Sequence, residues 1–323
     1  MKSSQPAAPP IREEEGAEIE ALLRYDCWLA KSLVRVVPKS RGSWLIGAAA
    51  ARLLPARYRR SNLVLSMAGK TVRITFDIAD PVQFSMVGHF DFDLMTASIV
   101  ASVLNGGDTF VDVGANWGYF TCIGASQVGP TGLVLAIEPS RVANRRLHET
   151  VRRNRLANVM IVQYAAGSVV GREVSVVRPF FRQTTSSYVR DRHPGRASDA
   201  VTTTLDALLD KVTAGPVRLI KIDTEGSELP VVQGAASVLD RDHPLVMLEA
   251  SHYCRRFGYT LPQLYDYMRE HGYVSAYRVD GDLHQMALSG PLAHAREGQI
   301  LFRHERSPAC LFAKEMRAHI SIG

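Results

Sequence analysis

The sequence predicts an α/β fold: a mostly parallel sheet that ends in antiparallel strands and is preceded by a helical extension. Three observations predict it. From about residue 109 onward, short apolar runs alternate with stretches of helical period, the pattern of parallel strands joined by helical crossovers. The first of those runs closes on glycines that lead into a helix, TFVDVGANWG (109–118). The last runs, YVSAYRV (273–279), DLHQMAL (282–288) and GQILFRH (298–304), follow one another with no helical pattern between them, as antiparallel strands do.

In chain order, residues 1–16 combine three prolines with the acids Glu13, Glu14 and Glu15, a composition that predicts disorder. A helix is predicted from Ala17, because Leu22, Leu23, Leu29, Leu33 and Val36 recur at roughly helical spacing up to Pro38. A second covers Trp44 to Leu54 before Pro55, so 17–60 reads as a basic helical extension. From residue 61 to 305 runs the main domain, with its motif core at 109–251. It opens with NLVLSM (62–67) and TVRITFDI (71–78), which alternate with period two around a turn at Ala68-Gly69-Lys70, a hairpin signal. A helix is expected from Phe92 to Leu104. Strands follow at 109–114, 133–139, 159–167, 217–223 and 244–251. Helices fall between or after them at 119–127, 141–156, 205–211, 228–239 and 261–271. A hairpin-like insertion occupies 171–190, a polar loop 191–200, and residues 306–323 form a tail.

Net charge is +6 over 323 residues, and its distribution is uneven. Residues 1–23 hold two basic and five acidic residues, whereas 24–73 hold eleven basic residues against Asp26 alone. The rest is close to neutral, which argues against a nucleic-acid-coating protein. Cys27, Cys122, Cys254 and Cys310 lie far apart with no CxxC pair, so neither a zinc ribbon nor a disulfide framework is expected, and a cytoplasmic setting fits. The N-terminus has no signal-peptide apolar core, and the run Trp44 to Leu54 is about half a membrane span and contains Arg52.

VDVGANWGYFT (111–121) is the first segment that carries chemistry, since glycines at a strand end let backbone approach a ligand closely. Glu138, 24 residues past Gly114, stands at the tip of the next strand, where a carboxylate accepts ribose hydroxyls. Together they specify an adenosine-type site. The second and third glycines of the dinucleotide pattern GxGxxG are missing from GANWGY, and no lysine follows a tyrosine by four places, so a nicotinamide-dependent oxidoreductase is the lesser reading. Gly69-Lys70-Thr71 has Val64 where a P-loop needs glycine, which removes kinases and ATPases. In LIKIDTEGSELPVVQGA (219–235), Lys221, Asp223, Glu225 and Glu228 end or follow a buried strand and face the ligand crevice. For Glu228, favouring the start of the next helix is an equal reading.

VDVGANWGYFT, GLVLAIEPS, LHETVRRNRLANVMIVQYAAG, TTTLDALL and LIKIDTEGSELPVVQGA stand in the order and spacing of the FkbM-type S-adenosylmethionine-dependent methyltransferases, which the chain resembles over roughly residues 76–305. The resemblance implies a class I methyltransferase fold, a seven-stranded Rossmann-like sheet whose last pair is antiparallel. It implies that Asp112, Gly114, Asn116 and Gly118 hold the methionine part of S-adenosyl-L-methionine, with Glu138 on the ribose and Ala165 and Ala166 near the adenine. It also places Asp223 beside the transferred methyl. The acceptors it implies are hydroxyls of saccharides, glycolipids or natural products.

Asp223, Glu225, Glu249 and His252 follow the fourth and fifth strands and are the candidate general bases. His252 has the most suitable ordinary pKa, although one histidine in a loop is more often structural. Asp223, Glu249 and His252 also permit a divalent cation that polarises a diol, but with no compact ligand motif such as HExxH the metal-independent reading ranks slightly higher. The insertion around Arg178 to Arg192, with Phe180, Phe181 and Tyr188, is a candidate cap over the acceptor. Two other functions remain: a nucleotide-sugar oxidoreductase using NAD, and a non-catalytic membrane-associated scaffold. The basic segment 24–73, where Arg57, Arg59 and Arg60 follow an apolar stretch, is the candidate contact with an anionic inner-membrane face.

Overall fold

The computed structural model describes residues 12–14, 18–25, 32–33, 36–37, 43–67, 69–89, 93–177, 188–192, 198–212, 215–279, 283–286, 298–307, 311–313 and 317–322. Strands β1 (Arg12–Glu14) and β2 (Glu18–Tyr25) come first, then helix α1 (Ser43–Ala51), the hairpin β3 (Arg60–Met67) and β4 (Lys70–Asp77), and helices α2 (Pro81–His89) and α3 (Leu94–Val103). The alternating part contains β5 (Thr109–Val113), α4 (Tyr119–Val128), β6 (Leu133–Ile137), α5 (Arg141–Arg153), β7 (Val159–Val162) and β8 (Ala165–Ala166). It continues with β9 (Glu173–Val177), β10 (Tyr188–Asp191), β11 (Ala200–Thr203), α6 (Leu205–Leu209), β12 (Val217–Ile222), α7 (Glu228–Gln233), α8 (Ala236–Asp242) and β13 (Leu245–Ala250). Helix α9 (Leu261–Glu270) and strands β14 (Tyr273–Val279), β15 (Leu283–Met286), β16 (Gly298–His304), β17 (Leu311–Ala313) and β18 (Arg317–Ile322) complete the order.

The central sheet runs β15-β14-β16-β13-β12-β5-β6-β7. Strands β7, β6, β5, β12 and β13 pair in parallel, and β16, β14 and β15 add antiparallel at one end. This is the class I methyltransferase order, with β15 as an eighth strand beyond the seven expected. The chain builds outward from β5 to β7, then returns to β12 on the other side of β5. That reversal opens a crevice above the carboxyl ends of β5 and β12. Every residue of β5 is buried, as expected for a strand covered on both faces. Alternation then sends Phe110 into one apolar layer, with Cys122 and Leu301, and Val111 and Val113 into the other, with Ile220 and Leu239.

Helix starts follow local chemistry. Ser140 caps α5 by accepting the Ala143 N–H, Thr204 caps α6 by accepting that of Ala207, and Thr260 and Gln263 form a capping box at α9. Two elements predicted as continuous are divided. The strand expected at 159–167 leaves the central sheet after Val162, and β8 joins a separate sheet ordered β10-β9-β11-β8. The helix expected at 228–239 breaks at Gly234, where a Cβ would lie 2.0 Å from the Gly167 carbonyl oxygen.

The N-terminal expectation requires correction. Residues 18–25 are a strand, with Ile19, Ala21 and Leu23 in register with Met67, Leu65 and Leu63 of β3. The sheet is ordered β18-β2-β3-β4, so both the predicted extension and the predicted tail add strands to the hairpin. The physical reason is the open edge of β3: its unpaired N–H and C=O groups are satisfied by a neighbouring strand, and this outweighs a weak helical propensity. Within the segment expected to be disordered, Arg12–Glu14 pairs with β17. The second predicted helix, α1, forms and packs on α2. Among the described residues no helix is long and apolar enough to cross a membrane.

Candidate functional site

A cavity of about 360 Å³ lies at the carboxyl edge of the sheet, lined from the ends of β5, β6 and β12 and the loops after them, and from Glu249 near the end of β13. Its first wall is the glycine turn. Gly114 has φ +78°, and a Cβ there would sit 1.9 Å from the Asp223 carbonyl oxygen, so glycine is what allows the β5 and β12 loops to touch. Asn116 is also left-handed, at φ +51°, and donates its N–H to Glu138 Oε2 at 2.9 Å. Glu138 Oε1 accepts the Ser140 N–H at 2.7 Å. Burial pushes the Glu138 carboxyl up to about 7 against those two hydrogen bonds. Ala165 and Ala166, both small and buried, line the same side.

Asp112 and Gly118 stand behind this wall rather than on it. Asp112 is buried, accepts the Thr121 hydroxyl at 2.6 Å, and is held above the ordinary carboxylate range by burial. Gly118 has φ +93°, and a Cβ there would meet Leu147 at 2.7 Å. Both shape the turn instead of facing the cavity.

The opposite wall is acidic. Asp223, Glu225 and Glu249 line it, joined by Asp93, which caps α3 from a left-handed conformation by accepting the Thr96 N–H. Among them is one buried ammonium, Lys221, 3.1 Å from Asp223 Oδ2 and 4.4 Å from the Phe120 ring centroid. Burial works against the charge on Lys221, but Asp223, Asp112 and Asp93 outweigh it and hold the pKa above the ordinary lysine range. Burial, then Asp223 and Glu249, pushes Glu225 up to about 8. Burial, then Asp223 and Glu228, pushes Glu249 up to about 7.

Glu225 is presented from a left-handed backbone, φ +57°, in a loop that Glu228 holds from below. Glu228 Oε1 accepts the N–H groups of Thr224 and Gly226 and the Thr224 hydroxyl, and Oε2 accepts the Tyr259 hydroxyl at 3.1 Å. Its role is therefore to fix the loop.

His252 is not brought to the cavity. It is exposed, with its ring against Tyr253 at 4.4 Å. Beside it the Arg256 guanidinium lies 3.9 Å from the Tyr253 ring centroid and 4.4 Å from that of Tyr188. Phe180 and Phe181 of the expected cap lie outside the described residues. Among the described residues no group of three or more His, Cys, Asp and Glu is placed to hold a metal ion, and the trio Asp223, Glu249 and His252 does not form one.

Sequence reasoning assigned no role to Lys221 and passed over Asp93, Tyr119 and Gln299. Gln299 reaches the cavity because it lies directly opposite Glu249 in the β13–β16 ladder, a pairing that spacing does not reveal. Asp93, expected inside a helix from Phe92, is instead the cap of a helix that begins at Leu94. Four cavity-lining residues have buried polar atoms without a hydrogen-bond partner: Trp117 Nε1, Tyr119 Oη, Ser227 Oγ and Gln299 Oε1. A nucleoside with a cationic sulfonium suits this donor set: a carboxylate for ribose, small residues for a flat base, and an acidic wall for positive charge.

The family model described as methyltransferase FkbM domain matches residues 112–275. Among solved structures, the chain is similar to methyltransferase FkbM from Methylobacillus flagellatus KT, at 17% identity and TM-score 0.40, over 69% of this chain and 54% of that one. It thus spans about half the length of that relative. A SAM-dependent methyltransferase from Aquifex aeolicus matches at 12% identity and TM-score 0.34, over 62% of this chain and 83% of that one. TYW2 from M. jannaschii, in complex with AdoMet, matches at 15% identity and TM-score 0.35, over 75% and 85% respectively. No curated protein sequence matches. With half of its length matched by one family model, and with that model's segment folded around the glycine turn, Glu138 and the acidic wall, the chain belongs to the FkbM family of S-adenosylmethionine-dependent methyltransferases.

Proposed function

We propose that the protein methylates a hydroxyl group, on a saccharide, glycolipid or natural-product acceptor. The observation that carries this reading is the pair of carboxylates, Glu225 and Glu249, whose pKa values are raised to about 8 and about 7 on the wall that Asp223 and Lys221 share. A hydroxyl acceptor gains from a general base whose pKa lies near the working pH, and such a base contributes about a hundred- to ten-thousandfold. When bound, S-adenosylmethionine supplies an electrophilic methyl on a positively charged sulfur.

The chain's own residues do the rest. Glu138 holds the ribose hydroxyls, the turn from Gly114 to Asn116 lets backbone approach, and Ala165 and Ala166 leave room for a flat ring. Lys221, 3.1 Å from Asp223 Oδ2, fixes that carboxylate in the wall. Glu249 or Glu225 accepts the acceptor's proton. Holding reactants in line is worth roughly 7–11 kcal/mol in favourable cases, so placement by these rigid loops carries most of the reaction. The Tyr188–Arg256–Tyr253 stack beside Glu225 offers aromatic faces of the kind that pack on sugar rings.

The test is methyl transfer to hydroxyl-bearing acceptors, followed by mass spectrometry that locates the methyl on oxygen. Glu249→Gln or Glu225→Gln should lower kcat at least a hundredfold while S-adenosylhomocysteine affinity stays within threefold. Glu138→Ala should instead weaken that affinity more than tenfold. Methylation on nitrogen or carbon, or full activity in both glutamine variants, would defeat the hydroxyl reading.

A second proposal concerns location. Ile46 and Leu53 are strongly exposed, at 73% and 87%, next to Arg57, which suits an anionic lipid surface. Binding to anionic vesicles that fades with salt and is lost in Ile46→Ser/Leu53→Ser would support it. Equal binding by that variant would remove it.

A further inference from the structure

The outer face of helix α5 carries a row of basic side chains. Arg141, Arg145, His148 and Arg152 are spaced by four, three and four residues, which sets them on one line along the helix. Arg155 continues the line just past the helix end, and all five residues are exposed. From Arg141 to Arg152 the row extends about 17 Å along the helix axis. Its first end stands at the cofactor cavity, because Arg141 lies two residues beyond Pro139, which lines that cavity beside Glu138.

Among the described residues no acid answers this row. The side chains of Arg141, Arg145, Arg152 and Arg155 make no ion pair or hydrogen bond there. Between Val113 and Gly171 the acids are Glu138, buried in the cavity wall, and Glu149. Glu149 turns away from the row, toward a small cleft that it lines with Arg146 and Arg153, and Arg146 is the arginine that Asp77 and Asp80 hold. Helix stability does not account for the row either. Arg152 suits the negative end of the helix dipole, but Arg141 stands in the first turn, where no acid is present and positive charge is unfavourable. Arg141 and Arg145, four residues apart, also repel each other.

The shape of the row selects among anions. It is one side chain wide, with no Phe, Tyr or Trp between the arginines on which bases could stack. It carries no apolar residue to enter a bilayer, the exposed Val142 lying to one side of the line. Guanidinium groups pair with planar or tetrahedral oxyanions through two parallel hydrogen bonds, so a linear chain bearing such groups at intervals is the complement. We propose that this face of α5 docks an acidic polysaccharide, laid along the row so that one end of the bound chain stands at the rim of the cavity beside Glu138. This rests on the saccharide acceptor proposed above.

The experiment measures binding of the full chain to fluorescently labelled oligogalacturonate at low and high salt. A dextran oligomer is the neutral control, and oligothymidylate and phosphatidylglycerol vesicles are the other anionic probes. Oligogalacturonate should bind, more weakly as salt rises, and dextran should not. Arg145→Ser/Arg152→Ser should lower that affinity at least tenfold, and so should Arg141→Ser/Arg155→Ser at the two ends of the row. Arg241→Ser/Arg269→Ser, an equal loss of charge at exposed positions of α8 and α9, should stay within threefold of the parent. Removing repelling, unpaired arginines should leave the melting temperature no lower than the parent's, which separates lost binding from lost folding. No binding of oligogalacturonate, or an equal loss in the α8/α9 variant, overturns the proposal. So does tighter binding of oligothymidylate or of the vesicles that the row variants abolish, which would assign this face to nucleic acid or to lipid. None of these readouts needs methyl transfer. A methyl found on nitrogen or carbon while the row still binds oligogalacturonate would remove the hydroxyl reading and leave the docking face standing.

Discussion

Gly114 joins the two halves of the site at the level of a single atom. A methyl group there would meet the Asp223 carbonyl oxygen at 1.9 Å, and its φ of +78° is strained for any residue with a Cβ. Gly114→Ala should therefore cost roughly 2–6 kcal/mol of stability, since overpacking and backbone strain each contribute about 1–3 kcal/mol. Urea unfolding checks the cost, and loss of S-adenosylhomocysteine binding checks the geometry. An alanine variant of wild-type stability would contradict the contact. This residue was marked from the motif alone, and so were Asn116 and Glu138. Lys221 was named but given no role, because a lysine in an otherwise apolar strand discloses neither its burial nor the three carboxylates that keep it charged.

Among the elements, the loop from Asp223 to Ser227 depends on Glu228, which the sequence left undecided between helix and site. Tyr259, thirty-one residues away, donates to the same carboxylate and also accepts the Leu229 N–H. Tyr259→Phe should destabilise the fold by about 1–2 kcal/mol and leave kcat within a few-fold. Glu228→Ala removes four accepted hydrogen bonds and should cost about 3 kcal/mol or more, with kcat falling because Glu225 loses its fixed presentation. Denaturant curves together with kcat separate the two effects. Strands β5, β6, β12 and β13 were legible because a buried parallel strand must be a short apolar run. Strand β2 was misread because EIEALLRY satisfies both periods, and only its pairing with β3 chooses between them.

For the whole molecule, the site and the fold respond to pH in opposite directions. Glu138, Glu249 and Glu225 are all raised in the folded protein, from an ordinary 4.5 to about 7, 7 and 8. Between pH 4.5 and 8 the folded state thus retains protons that the unfolded state has released, and stability falls as pH rises through that window. For the buried Glu138 alone the shift corresponds to about 3 kcal/mol. The ligand-free protein should be more stable at pH 5.5 than at pH 8.5, and Glu138→Gln should flatten the dependence. Over the same range kcat/KM should climb as the base loses its proton. A stability that rose with pH would show that these carboxylates are not buried in this way.

By itself the sequence determined the parallel strands of the central sheet, the glycine turn, the place of Glu138 beside it and the family, because each depends on residues close in the chain or on the burial of a whole strand. Tertiary structure alone decided which charges meet. Gln299 comes to lie opposite Glu249 through a ladder of residues fifty apart, His252 turns outward, and the predicted helical extension adds a strand to the hairpin, with the predicted tail closing on its far side. The reason is the range of the forces involved: periodicity and capping act over a few residues, whereas desolvation and charge pairing are set by whatever the folded chain places alongside.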